Sequence, residues 1–322
     1  MLAGVSIGLT SGRTTPPGRP VIGRIRGRLA IRALVVVAIG LLLMALQTPV
    51  YVILPTYGVL FLLVVPVLRV RARWLLVLSG ACAVLSPVVA LAIVPLYAGA
   101  GMWEVQLGLV YPVVTFLAYV LVGLAVARTG LGPRRRTPDG TSAASGPCRW
   151  GEARGAQVAF LASGTLVAAA YSIGNAVAPI PVDAASAFPG VPFAGEGNTP
   201  AQATAQLFLS PRDHSSSIVD VVATAGIAVA VIALCTLVFD GRGPALRRIA
   251  FPLAAVGSMP LTVYAGHLVV LAALPGYPDS TVAWVWFAVG SVAFAMLWRG
   301  FLGRGPLERM TARFTGLVPD PH

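Results

Sequence analysis

The residues best suited to chemistry are two histidines, because ionisable side chains are scarce in this strongly apolar chain. Pro260, Tyr264 and His267 are spaced four and three residues apart, so they share one face of a helix. Pro260 lacks a backbone donor, and we expect it to bend that helix and free a carbonyl on a cavity wall. His267 as a catalytic residue and Tyr264 as a substrate-binding residue would line this cavity. Alternatively, both side chains hydrogen-bond neighbouring helices as structural contacts.

His214 is the second catalytic candidate, within Pro-Arg-Asp-His-Ser-Ser-Ser-Ile-Val-Asp from Pro211 to Asp220. An imidazole beside Asp213 or Asp220 suits a general base oriented by a carboxylate. Ser217 and Asp220 also match a capping box at a helix start, which would be a sufficient role for Asp220. We interpret Asp220 as the cap, and for His214 the catalytic and structural interpretations stay open.

Two further groups could bind substrate. Tyr119 closes a polar stripe with Tyr111 and Thr115 at four-residue spacing, and such a stripe can line a pocket in a membrane helix. Arg28 and Arg32 belong to an arginine-rich segment, and clustered guanidinium groups suit phosphate on a lipid or on a donor such as acyl-CoA. The simpler alternative is that a tyrosine near a helix end, such as Tyr111, is an interfacial anchor and that the arginines follow membrane topology.

The cysteines do not indicate a metal site. Cys82, Cys148 and Cys235 have no zinc-type spacing, and no two of them are placed for an extracellular disulfide. We therefore expect structural thiols and no metal.

Membrane helices must position these residues. The chain is 57% hydrophobic and 11% charged, whereas an ordinary soluble domain is about a quarter charged. Apolar blocks near the roughly 20 residues that cross a bilayer predict an all-α, polytopic transmembrane bundle. The chain should have eight full spans after a short N-terminal helix, on which Gly4, Gly8 and Gly12 form a small-residue face. The predicted spans are 33–54, 50–68, 74–97, 106–127, 156–178, 218–239, 250–273 and 282–302.

The positive charge sets the predicted orientation. All 23 basic residues are arginine, and the net charge is +12. Threading the eight spans alternately puts every arginine except Arg212 on one side, which the positive-inside rule makes cytoplasmic. The arginines then face anionic lipids rather than nucleic acid, because they are spread over short loops. We expect a multi-pass protein of a bacterial plasma membrane, with a homodimer as the oligomer to test.

The same pattern divides the chain. Residues 1–128 hold the N-terminal membrane helices, and 129–155 form a cytoplasmic linker rich in Ser, Ala, Gly and Pro. Residues 156–310 hold the C-terminal membrane helices with an outer loop at 179–217. Residues 311–322 form a cytoplasmic tail.

Several short segments, in this order, resemble the bacterial DUF418 (YeiB-like) membrane proteins, which are related to the heparan-α-glucosaminide N-acetyltransferase-like transmembrane acyltransferases. The segments are Leu-Ala-Gly-Val-Ser-Ile-Gly from Leu2, Arg-Leu-Ala-Ile-Arg from Arg28, Ile-Leu-Pro-Thr-Tyr-Gly from Ile53, Tyr-Pro-Val-Val-Thr-Phe from Tyr111, the stretch from Pro252 to His267, and Arg-Gly-Pro-Leu-Glu from Arg304. Each is short and apolar, so the resemblance rests on their order over nearly the whole chain.

The resemblance implies transfer of an acyl group from cytoplasmic acyl-CoA, such as acetyl-CoA, to a sugar-like hydroxyl or an amine at the outer face. In that family a helix before the Leu2 segment supplies a histidine regarded as catalytic, and this chain begins after it. His214 and His267 do not take over that role by the resemblance. We expect that the start codon is assigned too late, since a half-length first helix inserts poorly. The alternatives are a transporter or flippase, and a scaffold subunit.

Overall fold

The computed structural model describes residues 1–14, 16–48, 50–93, 110–130, 150–178, 199–212, 214–239, 244–276, 278 and 280–318. These ranges contain helices and turns and no β-strand. The α-helices are α1 (Leu2–Thr10), α2 (Arg19–Met44), α3 (Leu54–Val64), α4 (Ala72–Ile93), α5 (Val113–Arg128), α6 (Trp150–Val177), α7 (Pro200–Leu209), α8 (Ile218–Phe239), α9 (Pro244–Ile249), α10 (Phe251–Gly257), α11 (Pro260–Ala273), α12 (Thr281–Phe301) and α13 (Pro306–Gly316). A 3₁₀ turn, Val65–Val67, extends α3.

The helices form two compact units. The first unit comprises Met1–Ile22 and Leu63–Gly241, and the second comprises Gly23–Leu62 and Arg242–His322. In the first unit α5 packs along α1 and α4, and α6 packs along α8. In the second unit α10 packs on α12, and α11 packs on α12 and α13.

Five helices of the described ranges are long and apolar enough to cross a membrane, and the bent pair α10 and α11 makes a sixth if it counts as one span. The expected all-α membrane architecture is therefore confirmed, while the number of eight full spans stays a prediction, since the described ranges hold five or six. Two predicted spans are shorter apolar helices, Leu54–Val67 and Val113–Arg128. Pro112 precedes the second of these, and a proline lacks the donor that would continue the helix in the N-terminal direction.

The predicted span 250–273 is broken. Its two halves, α10 and α11, meet at 82°. Pro260 is the first residue of α11, a position where its missing donor costs nothing, so it starts a helix rather than bending one. The carbonyl that we expected to be free, that of Val256, accepts from the Met259 amide at 3.1 Å. The break therefore exposes the N-terminal amides of α11 instead of a carbonyl.

Other boundaries differ less. Helix α6 begins at Trp150, inside the segment predicted as a linker, while residues 131–149 lie outside the described ranges. Within the predicted outer loop, residues 199–209 hold α7, which starts with a reciprocal capping box between Thr199 and Gln202. Residues 179–198 of that loop lie outside the described ranges.

The glycine face of α1 is confirmed for two of its three residues. A Cβ on Gly4 would overlap the Val120 carbonyl of α5, and one on Gly8 would overlap the Ala127 side chain. From the other side, a Cβ on Gly123 would overlap the Met1 carbonyl. Gly12 lies beyond the end of α1 and has a positive φ of 96°. Small residues thus let α1 and α5 approach closely, as is common between membrane helices.

Arg128 holds the end of this helix pair. It is 7% exposed, and its guanidinium donates to the carbonyls of Ser11 at 3.1 Å, Arg13 at 2.7 Å and Leu68 at 2.7 Å, and to the Ser11 hydroxyl. The carbonyls of Ser11 and Arg13 follow the C-terminus of α1, where a positive charge is also favoured by the helix dipole. One side chain therefore fixes where α1 ends and joins it to α5 and to the chain before α4.

We predict that Gly123→Ala destabilises the first unit, because the added methyl group meets backbone rather than a movable side chain. The free energy of unfolding should fall by about 1–3 kcal/mol, the usual cost of overpacking. Unfolding of the purified protein in mixed detergent micelles would measure this change. Gly80→Ala is the matched control, since nothing lies within 4 Å of its added Cβ; equal losses in the two variants would contradict the packing that we describe.

Candidate functional site

A buried chain of polar groups crosses the first unit between α4, α5 and α8. The hydroxyls of Ser86 and Thr115 are in direct contact, and the Thr115 hydroxyl donates to the Ser216 hydroxyl at 3.2 Å. The Ser216 amide in turn donates to Oδ2 of Asp220 at 3.1 Å. All four residues are buried. We call these residues, together with Thr224 and Tyr119, the Asp220 network.

Asp220 is the centre of this network. Its second oxygen, Oδ1, accepts from the Thr224 hydroxyl at 3.3 Å. Thr224 also hydrogen-bonds the Tyr119 side chain, and Tyr119 lies close enough to Asp220 and Tyr171 for electrostatic interaction. A carboxylate that is 6% exposed thus accepts from a backbone amide and a hydroxyl, with the Tyr119 phenol nearby.

The start of α8 explains why the network lies where it does. Ser217 accepts from the Asp220 amide at 3.0 Å, as the predicted cap requires, and its own hydroxyl donates to the Ser210 carbonyl at 2.6 Å. The predicted reciprocal bond is displaced by one residue, because Asp220 accepts from the amide of Ser216 and not from that of Ser217. Half of the capping box is therefore present, and its other half extends the cap into the loop.

His214 lies at the edge of this loop. It is exposed and has a φ of 60°, while Ser216 has a φ of 57°. Positive φ angles at residues other than glycine store strain and are enriched at functional sites. No described residue hydrogen-bonds His214, and Asp213 lies outside the described ranges. His214 therefore lies two residues before Ser216 of the network, and its side chain is exposed at the protein surface.

The network can hold hydroxyl or amine groups of a ligand. Its hydroxyls both donate and accept, and its carboxylate favours donors and positive charge. Thr115 stands 13 residues before Arg128, which is about 20 Å along α5, so the network and the Arg128 contacts occupy opposite ends of that helix.

The second unit has a different polar centre at the broken helix. Oε1 of Glu308 accepts from the amides of Leu261 at 2.8 Å and Thr262 at 3.1 Å, and Oε2 accepts from the Thr262 hydroxyl at 2.5 Å. The Leu307 amide donates to the same hydroxyl at 3.2 Å. Glu308 of α13 therefore caps the N-terminus of α11, where an acidic group is favoured by the helix dipole. We call this arrangement the Glu308 cap.

The arginine candidates differ in their surroundings. The Arg32 guanidinium lies 5.1 Å from the centre of the Phe61 ring and interacts electrostatically with Glu308. Arg28, one turn earlier on α2, is exposed. Arg32 is thus part of the interior next to the Glu308 cap, whereas Arg28 has the exposure that a phosphate ligand needs.

Tyr264 and His267 lie on one face of α11, as their spacing predicts. Their ring centres are 5.5 Å apart, and His267 also meets the Phe287 ring of α12 at 6.4 Å. The Tyr264 hydroxyl accepts from the Ile53 amide at 3.2 Å, so it satisfies the backbone just before α3. This contact favours a structural role for Tyr264, whereas His267 is half-buried among aromatic rings.

Some residues of these centres escape prediction from sequence. Ser86 is a single hydroxyl in an apolar stretch and gives no signal of its own. Ser216 and Thr224 lie four residues before and after Asp220, and this helical spacing is the one signal that could have indicated them. Arg128 is one of 23 arginines and is distinguished only by its burial. Glu308 carries more of a signal, because it is an isolated acid among the arginines of the C-terminal segment.

The apolar helices and the polar groups between them define a helical membrane protein with a separate polar centre in each unit. In comparisons with known proteins, no family model, no curated protein and no solved structure matches the chain.

We predict that Asp220→Ala lowers the stability of the first unit, because the Ser216 amide and the Thr224 hydroxyl lose their buried acceptor. The expected fall in the free energy of unfolding is about 2–4 kcal/mol for two orphaned donors. Thr236→Val on the same helix is the control, since among the described residues the Thr236 hydroxyl donates only to the Ile232 carbonyl of its own helix. Denaturation in mixed micelles would measure both, and a loss no larger than that of the control would contradict the network.

We predict that Glu308→Ala uncaps α11 and speeds hydrogen exchange at the amides of Leu261 and Thr262. The loss of a cap costs about 1 kcal/mol, so exchange through local opening should rise at least roughly fivefold. Exchange measured by mass spectrometry would resolve this peptide. Ser280→Ala is the matched control. The Ser280 hydroxyl caps α12 by accepting from the Ala283 amide, so its loss should speed exchange in α12 and not in α11. Unchanged exchange at α11 in Glu308→Ala would rule out the cap.

Proposed function

We propose that this chain is a membrane acyltransferase that moves an acyl group from cytoplasmic acyl-CoA, such as acetyl-CoA, to a hydroxyl or amine of a sugar-like acceptor at the outer face. In the net reaction the thioester carbon–sulfur bond breaks and an ester or amide bond forms. The acceptor's proton passes to a base and leaves with CoA as the free thiol. The ordered resemblance to the DUF418 proteins supports this class of reaction.

The Asp220 network is the observation that carries the proposal. It is a buried, hydroxyl-rich site at the end of α5 opposite Arg128, and the charge pattern makes that end the outer one. Hydroxyl and carboxylate groups are the usual partners of sugar hydroxyls and amines. His214 lies beside the network and is exposed, so in this proposal it takes the proton from the acceptor.

The topology follows from the same proposal. Eight spans in a bacterial plasma membrane would place the arginine-rich loops and the C-terminus in the cytoplasm, where acyl-CoA is found. Arg28 is exposed and suits a donor phosphate, whereas Arg32 is already engaged by Phe61 and Glu308. Tyr119 takes part in acceptor binding through the Asp220 network.

The broken helix favours a second candidate function. Discontinuous membrane helices line the substrate sites of many transporters, where helix ends interact with the solute. Helices α10 and α11 meet at 82°, and Glu308 covers the N-terminus of α11. A transporter or flippase for a small solute or a lipid-linked substrate would use such a break without any bond chemistry.

The experiment is release of CoA thiol from acetyl-CoA by membranes that contain the chain, with amino sugars as acceptors. We expect turnover that depends on the protein and falls roughly 100-fold or more in His214→Ala, the usual loss when a general base is removed. His267→Ala tests the second histidine in the same way. His322→Ala is the matched control, since it removes the third histidine of the chain.

The two functions give opposite results. Wild-type turnover that neither histidine substitution reduces would reject both as bases. Absence of CoA release, together with uptake of solute into proteoliposomes that Glu308→Ala abolishes, would replace the enzyme with the transporter.

A further inference from the structure

A groove of about 680 Å³ lies between the end of α12 and α13. Trp298 and Leu302 form one wall, and Phe314 and Leu317 form the other. Pro306, Met310 and two arginines, Arg309 and Arg313, complete the lining. The groove is therefore apolar along its length and positively charged at its rim.

Helix α13 has the sequence pattern of a helix at a membrane surface. Met310, Phe314 and Leu317 recur at spacings of four and three residues and form one apolar face. Arg309 and Arg313 directly precede two of them and flank that face. An amphipathic helix with arginines beside a face that carries Phe and Leu lies in the interface between head groups and acyl chains.

The charges of this helix point in two directions. Glu308 is engaged by the amides of Leu261 and Thr262, so its charge is used on the α11 side. Arg309 is held by a hydrogen bond from Nε to the Arg304 carbonyl at 2.8 Å, and its guanidinium lies 5.7 Å from the centre of the Trp298 ring. Its terminal nitrogens, and the whole guanidinium of Arg313, hydrogen-bond no residue that the structure describes. Two guanidinium groups at the groove are thus available to an anion.

The lining decides which anion fits. A free phosphate would use the arginines and leave the apolar walls exposed. A nucleotide-bearing donor would bring a base and a ribose, but the groove offers them no polar side chain besides the two arginines. At the end of α12 next to the groove, Leu297 is 62% exposed and Phe301 is 83% exposed, which suits contact with acyl chains.

We propose that this groove binds an anionic phospholipid of the surrounding bilayer, with its phosphate on Arg309 and Arg313 and an acyl chain along Trp298, Phe314 and Leu317. The guanidinium fork matches phosphate oxygens in pairs. Trp298 lies near the C-terminal end of α12, and tryptophan is enriched where membrane helices reach the interface. This site does not depend on the acyl-transfer proposal.

The test uses the full chain in nanodiscs and quenching of tryptophan fluorescence by lipids with brominated acyl chains. Brominated phosphatidylglycerol should quench Trp298 at a lower mole fraction than brominated phosphatidylcholine does. Trp298→Phe identifies the contribution of this residue among the six tryptophans of the chain. Arg309→Gln with Arg313→Gln should weaken the preference for phosphatidylglycerol roughly thirtyfold, since each basic side chain near an anionic surface contributes about fivefold.

Arg71→Gln with Arg73→Gln is the matched control, because it removes the same charge at a position outside the groove. The single variant Arg313→Gln guards against misfolding, since this side chain has no hydrogen bond to lose among the described residues. Equal quenching by the two lipids in the wild type would overturn the proposal, as would a preference that the groove variants and the control lose equally. Palmitoyl-CoA and unlabelled phosphatidylglycerol can each be tested for displacement of brominated phosphatidylglycerol. If palmitoyl-CoA displaces it at the lower concentration, the groove binds a nucleotide donor and the phospholipid proposal is overturned.

Discussion

A helix that ends or breaks in an apolar surrounding exposes backbone groups that hydrocarbon cannot satisfy, and the protein has to supply their partners. Three charged side chains meet this requirement here. Arg128 donates to the carbonyls after α1. Asp220 accepts from an amide before α8, and Glu308 accepts from the first amides of α11. Each ion is stabilised by a helix end of opposite polarity, so the same contact offsets the cost of burying the charge and of leaving the backbone open.

This dependence explains why the polar centres lie at helix ends. Inside a long apolar helix the backbone satisfies its own hydrogen bonds, so a charged side chain there needs a partner from another helix, as Arg32 of α2 has in Glu308. At the break between α10 and α11, and in the loop before α8, open amides already require an acceptor. Once a carboxylate is present, hydroxyls such as those of Thr262 and Thr224 gather around it. A cluster of polar groups therefore arises at each of these places from a structural need.

The two carboxylates differ in the groups that surround them. Glu308 accepts three hydrogen bonds from α11, and Arg32 adds a positive charge nearby. This centre therefore has a structural role, which is to cap the second half of a broken helix. Asp220 connects instead to a chain of hydroxyls that runs across α4, α5 and α8, beside a loop with two strained residues. Hydroxyls can exchange one partner for another more easily than a capped helix end can, which is why we propose the Asp220 network, and not the Glu308 cap, as the acceptor site.

Helix α13 shows how one short element serves both interior and surface. Glu308 accepts hydrogen bonds from α11, while Arg309 and Arg313 line the groove at the protein surface. Because residues one position apart on a helix point about 100° away from each other, adjacent Glu308 and Arg309 can serve these different surroundings. The arginine excess of the chain is thus divided between buried contacts, as at Arg128, and exposed positions open to anions.

Much of the architecture follows from local patterns. Apolar blocks predict the all-helical class, the spacing of Gly4 and Gly8 predicts a close helix contact, and Ser217 before Asp220 predicts the start of α8. Hydropathy alone can be wrong about continuity, since it predicts one span at 250–273 where the chain forms two helices. Pro260 is visible in the sequence, but whether it bends a helix or begins one depends on an acceptor for the amides that follow it.

That acceptor, Glu308, lies 46 or 47 residues further along the chain, and Ser11 lies 117 residues before Arg128. Periodicity reports which face of a helix is apolar, but it carries no information about which distant side chain meets an open backbone group. Such pairings arise only when packing brings helix ends within about 3 Å of a donor or acceptor. For this reason the sequence suffices for the membrane class and for most helices, whereas the Arg128 contacts, the Asp220 network and the Glu308 cap exist only in the folded chain.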